Sequence, residues 1–120
     1  HHPQSHLLGG TLSTPHRCVI GPETERLLDS LTVDKLFLAA DAITEQGLME
    51  RSSLTVPVKQ AMLRTASEVI LVVDSSKFGE RGLAQVCELA RLDHLVTDEK
   101  LPREWRERLQ EVTDLVLAPL

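Results

Sequence analysis

Val69-Ile70-Leu71-Val72-Val73 runs straight into Asp74-Ser75-Ser76-Lys77-Phe78-Gly79. The first stretch is β-branched or leucine throughout, with no polar break. That is the pattern of a parallel strand covered on both faces. The second stretch supplies turn residues, two hydroxyls and a cation. A buried strand ending in such a loop suits an open α/β sheet, whose ligands sit beyond the carboxyl ends of the strands.

The same alternation continues on either side. Upstream, Val56–Ser67 spaces Val58, Met62 and Ala66 four apart and predicts a helix, with Pro57 in its first turn where a missing N–H costs little. Before it come a loop containing Gly47 and a second buried strand, Lys35–Ala40. Glu23–Leu31 predicts a helix opened by Pro22, with Leu27, Leu28 and Leu31 on one face. Arg17–Ile20 reads as a short strand, and His6–Gly10 as the end of a strand at Leu7-Leu8. Downstream, Gly82–Arg91 puts Leu83, Val86, Cys87 and Ala90 at helical spacing and predicts a further helix. His94–Thr97 is a strand, Pro102–Val112 a helix burying Trp105, Leu109 and Val112, and Leu115–Ala118 a last strand. Repeated strand–helix–strand units imply an α/β fold, a mostly parallel sheet with helices on both faces. Residues 1–6 are set apart as a tag remnant or disordered lead-in. Residues 7–120 are expected to form one domain, truncated on its N-terminal side.

Composition narrows the function. The chain has 120 residues and a formal net charge of -5, so it repels phosphate backbones. Its densest basic stretch, Arg103, Arg106 and Arg108, is interleaved by Glu104 and Glu107, the mark of a solvated helix face. Phe37, Phe78 and Trp105 are its only aromatics, too few for a base-stacking platform. No apolar run is longer than Val69–Val73, which cannot span a bilayer. Cys18 and Cys87 form no CxxC pair and have no ligand-spaced neighbours, so no metal, cofactor or redox chemistry is expected. A cytoplasmic location and no membrane partner follow.

The candidate site is the rim where the strands end. Asp41 follows one strand, Asp74, Ser75, Ser76 and Lys77 the next, and Thr97-Asp98 a third. Lys77 can give a point charge to a phosphate or carboxylate. Asp74 can accept from sugar hydroxyls, and Ser75 can donate through its hydroxyl and backbone. Gly9 and Gly10 allow a backbone to approach an anion closely. Lys59 sits in the first turn of its helix, where the dipole disfavours a cation, which hints at an anionic partner. Each of these also has an ordinary reading as a turn residue or solvated charge. No Ser-His-Asp or Cys-His order is present, and no catalytic residue is assigned.

Several segments in order resemble one family. They are Leu8-Gly9-Gly10-Thr11-Leu12, Ile20-Gly21-Pro22-Glu23-Thr24-Glu25, Val33 through Ile43 with Ala39-Ala40-Asp41-Ala42, Gly47-Leu48, Val58-Lys59-Gln60-Ala61-Met62, Asp74-Ser75-Ser76-Lys77-Phe78-Gly79 and Val96-Thr97-Asp98. Together these resemble the C-terminal domain of the DeoR family of transcriptional repressors. The resemblance implies a fold similar to ribose-5-phosphate isomerase and glucosamine-6-phosphate deaminase. It implies an effector-sensing role without catalysis, in which a phosphorylated sugar modulates operator binding by a separate N-terminal winged helix-turn-helix. The alternative it leaves is a fragment of a sugar-phosphate isomerase or deaminase. The effector-binding residues would be Gly9, Gly10, Asp41, Lys59, Asp74, Ser75 and Lys77. Operator DNA would be contacted only through the N-terminal domain, and a homo-oligomer is expected. The family tends to place a Glu just ahead of the lysine at Lys59. Here Leu54, Thr55, Val56, Pro57 and Val58 offer none, which argues against isomerase-like acid–base work there.

Overall fold

A computed structural model of the chain describes residues 8–13 and 18–119. The expectations placed on His1–Leu7 and on Arg17 lie outside the described residues. Two short strands, β1 (Thr11–Ser13) and β2 (Cys18–Ile20), pair antiparallel ahead of helix α1 (Pro22–Asp29). Pro22 opens α1 as expected, and Glu23 and Glu25 complement its dipole. Leu8 lies in no strand. It packs with Ile20 and Met62 against buried Leu28, Val58 and Ala61, the seam between α1 and α2 (Val56–Thr65).

The main sheet is parallel throughout. Its order is β3-β6-β8-β9, from β3 (Val33–Leu38), β6 (Ala66–Val72), β8 (His94–Asp98) and β9 (Asp114–Ala118). Leu38 pairs with Leu71, Leu71 with Leu95 and Leu95 with Leu115, so one row of side chains crosses all four strands on a single face. That face is buried. Leu38, Val69, Leu71, Val73 and Leu95 pack with Val56 and Leu63 of α2 and with Trp105 and Leu109 of α3 (Arg103–Gln110). The opposite face leaves Phe37, Val72 and Val116 exposed, at 68%, 49% and 45%. The helical cover expected on both faces is thus found on one among the described residues.

A second, antiparallel sheet completes the core. It has the order β4-β5-β7, from β4 (Ala42–Thr44), β5 (Gly47–Glu50) and β7 (Ala84–Cys87). Two expectations change here. The loop around Gly47 is the β4–β5 hairpin, and Gly47 itself has φ +127° with no room for a Cβ, which would stand 2.1 Å from the Cys87 carbonyl oxygen. The helix expected over Gly82–Arg91 is strand β7 followed by one 3-10 turn, Leu89–Arg91. Four apolar residues fitted a helical stripe, but only Val86 of the four is buried, and Leu83 is 71% exposed. Pairing with β5 satisfies this backbone instead, so tertiary contact overrode a short periodic match. The helix expected to Ser67 also stops at Thr65. Ala66 turns extended and begins β6 with no intervening loop.

Candidate functional site

Because β3, β6 and β8 run parallel, their carboxyl ends share one rim, and Asp41, Asp74 and Asp98 all fall there. The rim has two adjoining parts. The segment after β6 lies along β4, which begins next to Asp41. Phe78 bridges Ile43 in parallel, and the Gly79 N–H donates to the Ile43 carbonyl at 2.8 Å.

The first part is organised by Glu50, a residue the sequence reading did not single out. Glu50 ends β5 and is 3% exposed. Its Oε1 accepts from Lys59 Nζ at 2.6 Å and from the Thr55 hydroxyl at 3.2 Å. Its Oε2 accepts from the Asp41 N–H at 3.1 Å. Lys59 Nζ also donates to the Ala39 carbonyl at 2.7 Å, and Asp41 Oδ2 accepts from the Arg51 N–H at 2.9 Å. Asp41 and Lys59 are therefore brought together, through a third residue. A carboxylate does stand beside Lys59 in space, although none stands just ahead of it in sequence. The signal was present in a weaker form: α2 has no acidic residue in its first turn, so a cation there needs a partner from elsewhere.

The second part is the 3-10 turn Ser75–Lys77. Asp74 caps it, accepting from the Ser76 N–H at 2.9 Å and from the Ser76 hydroxyl. These bonds hold the Asp74 carboxyl below its ordinary range, the side-chain bond to Ser76 foremost. The Ser75 N–H donates to Asp98 Oδ2 at 2.8 Å and the Lys100 N–H to Asp98 Oδ1 at 2.9 Å. Asp98 is lowered in turn, first by the Ser75 backbone bond. Asp74 and the Ser75 N–H are thus occupied in shaping the turn. Among the described residues, no hydrogen bond or ion pair ties down the Lys77 ammonium.

Gly9 and Gly10 are held elsewhere. The buried Thr24 hydroxyl of α1 donates to the Gly9 carbonyl at 2.6 Å. Gly10 has φ +142°, and a Cβ there would stand 1.9 Å from the Thr24 hydroxyl oxygen. Gly10 is required by this close packing on α1, whereas Gly9 has nothing within 4 Å of a built Cβ.

Other features lie off this cluster. A cavity of about 390 Å³ opens between Thr44–Gln46 and Gly79–Gly82, and none of the seven expected residues lines it. Cys87 is half-buried, and burial pushes its thiol up to about 11, far from a reactive thiolate. Among the described residues no group of His, Cys, Asp and Glu is arranged to hold a metal ion. In the same set no helix is long and apolar enough to cross a membrane.

Comparison with known proteins points one way. Residues 1–99 match the family described as the DeoR C terminal sensor domain. The chain is 33% identical over 105 residues to the HTH-type transcriptional regulator GlpR of Haloferax volcanii, covering 87% of this chain and 41% of that protein. It is 35% identical over 99 residues to the HTH-type transcriptional repressor GlcR of Bacillus subtilis, covering 82% and 38%. It is 29% identical over 93 residues to the L-fucose operon activator of Escherichia coli, covering 77% and 38%. The chain spans about two fifths of the length of the relatives it matches.

Proposed function

The chain belongs to the DeoR family of transcriptional regulators, and from that premise we propose that its strand-end rim binds a phosphorylated sugar. The effector adjusts operator binding by a helix-turn-helix elsewhere in the full-length polypeptide, of the kind the relatives' names describe. The fold is read as similar to ribose-5-phosphate isomerase and glucosamine-6-phosphate deaminase, with the catalysis gone. The protein works in the cytoplasm as a homo-oligomer, since paired half-sites call for paired readers.

One observation carries this reading. Two parts adjoin at the rim, one the turn offering the Lys77 ammonium and the other a prearranged network of Asp41, Glu50 at the end of β5 and Lys59 of α2. A cation suits the phosphate, and paired donors and acceptors suit sugar hydroxyls. Asp74 and Ser75 belong to the proposed site as its framework, shaping the turn that carries Lys77, and Gly9 and Gly10 enter the proposal only through the segment they hold against α1.

Calorimetric titration of the full-length protein with a panel of sugar phosphates is the test. Lys77→Ala should weaken binding by about 1–3 kcal/mol, the scale of a charge-assisted hydrogen bond. Unchanged affinity would remove Lys77 from the site. Slow turnover of a bound sugar phosphate would favour the isomerase alternative.

A further inference from the structure

We infer that Glu50 is a specificity-determining residue: it restricts the rim beside Lys59 to the uncharged, hydroxyl- or carbonyl-bearing end of a singly phosphorylated effector. This rests on the reading of the rim as a sugar-phosphate site and names the class of ligand that fits it.

The argument is one of charge and unused bonds. Glu50 is buried and both its oxygens are engaged, so its carboxylate is a fixed part of the site. Lys59 has three N–H donors. One goes to Glu50 and one to the Ala39 carbonyl, which leaves one. Asp41 commits Oδ2 to the Arg51 N–H, which leaves Oδ1. The three side chains together carry two negative charges and one positive. A hydroxyl or carbonyl arriving here meets a spare donor beside a spare acceptor. A second phosphate or a carboxylate meets a cation already neutralised and two carboxylates of its own sign. Like charges placed together without compensation are strongly disfavoured. Lys77, on the neighbouring loop, is the cation left for the single phosphate.

The experiment is calorimetric titration of the full-length protein with three ligands of matched skeleton: a sugar monophosphate, the sugar bisphosphate and the phosphorylated sugar acid. Wild type should prefer the monophosphate over both others by about tenfold or more. E50Q, which keeps the shape and removes the charge, should narrow that preference about fivefold or more. Should E50Q fail to fold, K59M keeps the Glu50 carboxylate, removes its counter-charge and should widen the preference. An equal or tighter wild-type affinity for the bisphosphate or the acid overturns the inference and leaves the site reading standing. So does a preference that E50Q leaves unchanged or that K59M narrows. The three ligands are built on the skeleton of whichever monophosphate the panel of sugar phosphates shows to bind, and wild type that binds no member of that panel would overturn the site reading and the inference with it.

Discussion

At the carboxyl ends of β3, β6 and β8, acidic side chains are locked onto backbone amides. At the amino ends of β6, β8 and β9, they gather on a single imidazole. In the first region Glu50, Asp41, Asp74 and Asp98 each accept from a main-chain N–H, which draws loops that follow different strands into one rim. In the second, the His94 ring lies between Glu68 at 2.9 Å and Asp114 at 2.8 Å, both half exposed or nearly so. The same residue types thus make a preorganised surface anchored on buried Glu50 at one end and a solvent-facing clasp at the other. The difference lies in the acceptor's partner. A backbone N–H is fixed by the fold and has nowhere else to go when buried, whereas two exposed side chains must be held still against their own entropy.

The contrast breaks first at Glu50. Glu50→Ala should cost about 3 kcal/mol in urea unfolding, because it strands the Lys59 ammonium and the Asp41 amide. The figure is the low end for a buried pair, since the Lys59 side chain keeps 22% of its exposure. A loss under about 1 kcal/mol would show that the pair behaves like a surface one.

A gain is expected two residues into the sheet from the same rim. The Thr97 hydroxyl is buried with no hydrogen-bond partner among the described residues. Thr97→Val removes that unsatisfied group at nearly constant shape and should stabilise the protein by about 1 kcal/mol. Destabilisation in the same unfolding assay would mean that the hydroxyl has a partner.

The two ends should also respond to pH in opposite senses, with smaller effects. Asp74 is lowered from an ordinary 3.8 first by the Ser76 hydroxyl and then by the Ser76 amide, and Asp98 first by the Ser75 amide. Their contribution is present above that value and is lost as pH falls through the lower folded values. Asp98→Asn should flatten the acid limb of a stability profile, and an unaltered limb would count against it. His94 is raised above an ordinary 6.5, first by its bond to Asp114 and then by Glu68. Its contribution is complete below that value and fades as pH rises through the higher folded value. His94→Gln should remove that decline on the alkaline side. Thermal melts of both variants between pH 3 and about 9 read the two limbs together.

The parallel sheet was legible because its strands are continuous apolar runs bounded by turn residues, and Val69–Val73 could be little else. The antiparallel sheet was not. Gly47-Leu48-Met49-Glu50 is four residues long, and Ala84–Cys87 carries an apolar spacing that serves a helix as well as a strand. What decides for strand is Gly82 and Gly47, where Cβ atoms would collide with Met49 and with the Cys87 backbone, and that proximity is tertiary. The site divides in the same way. Asp41, Asp74 and Lys77 could be placed because they follow strands. Glu50 could not, because by sequence the segment around Gly47 reads as a loop. By sequence Gly10 could admit a ligand, and the structure sets helix α1 against it.

The hairpin that carries Glu50 has a consequence for the order of assembly in time. β4 and β5 close on each other within a few residues, as fast as any local element. The partner that buries the far edge of β5, β7, arrives only after the chain has passed through α2 and β6. Val33 must likewise meet Ala66 across that whole crossover, a long loop to close before any contact repays it. Glu50 therefore reaches its final surroundings among the late, non-local contacts. Interactions formed late leave the folding rate nearly untouched and govern the rate of escape from the native state. Changes at the rim should register chiefly in how long the folded protein lasts, and hardly at all in how quickly it forms.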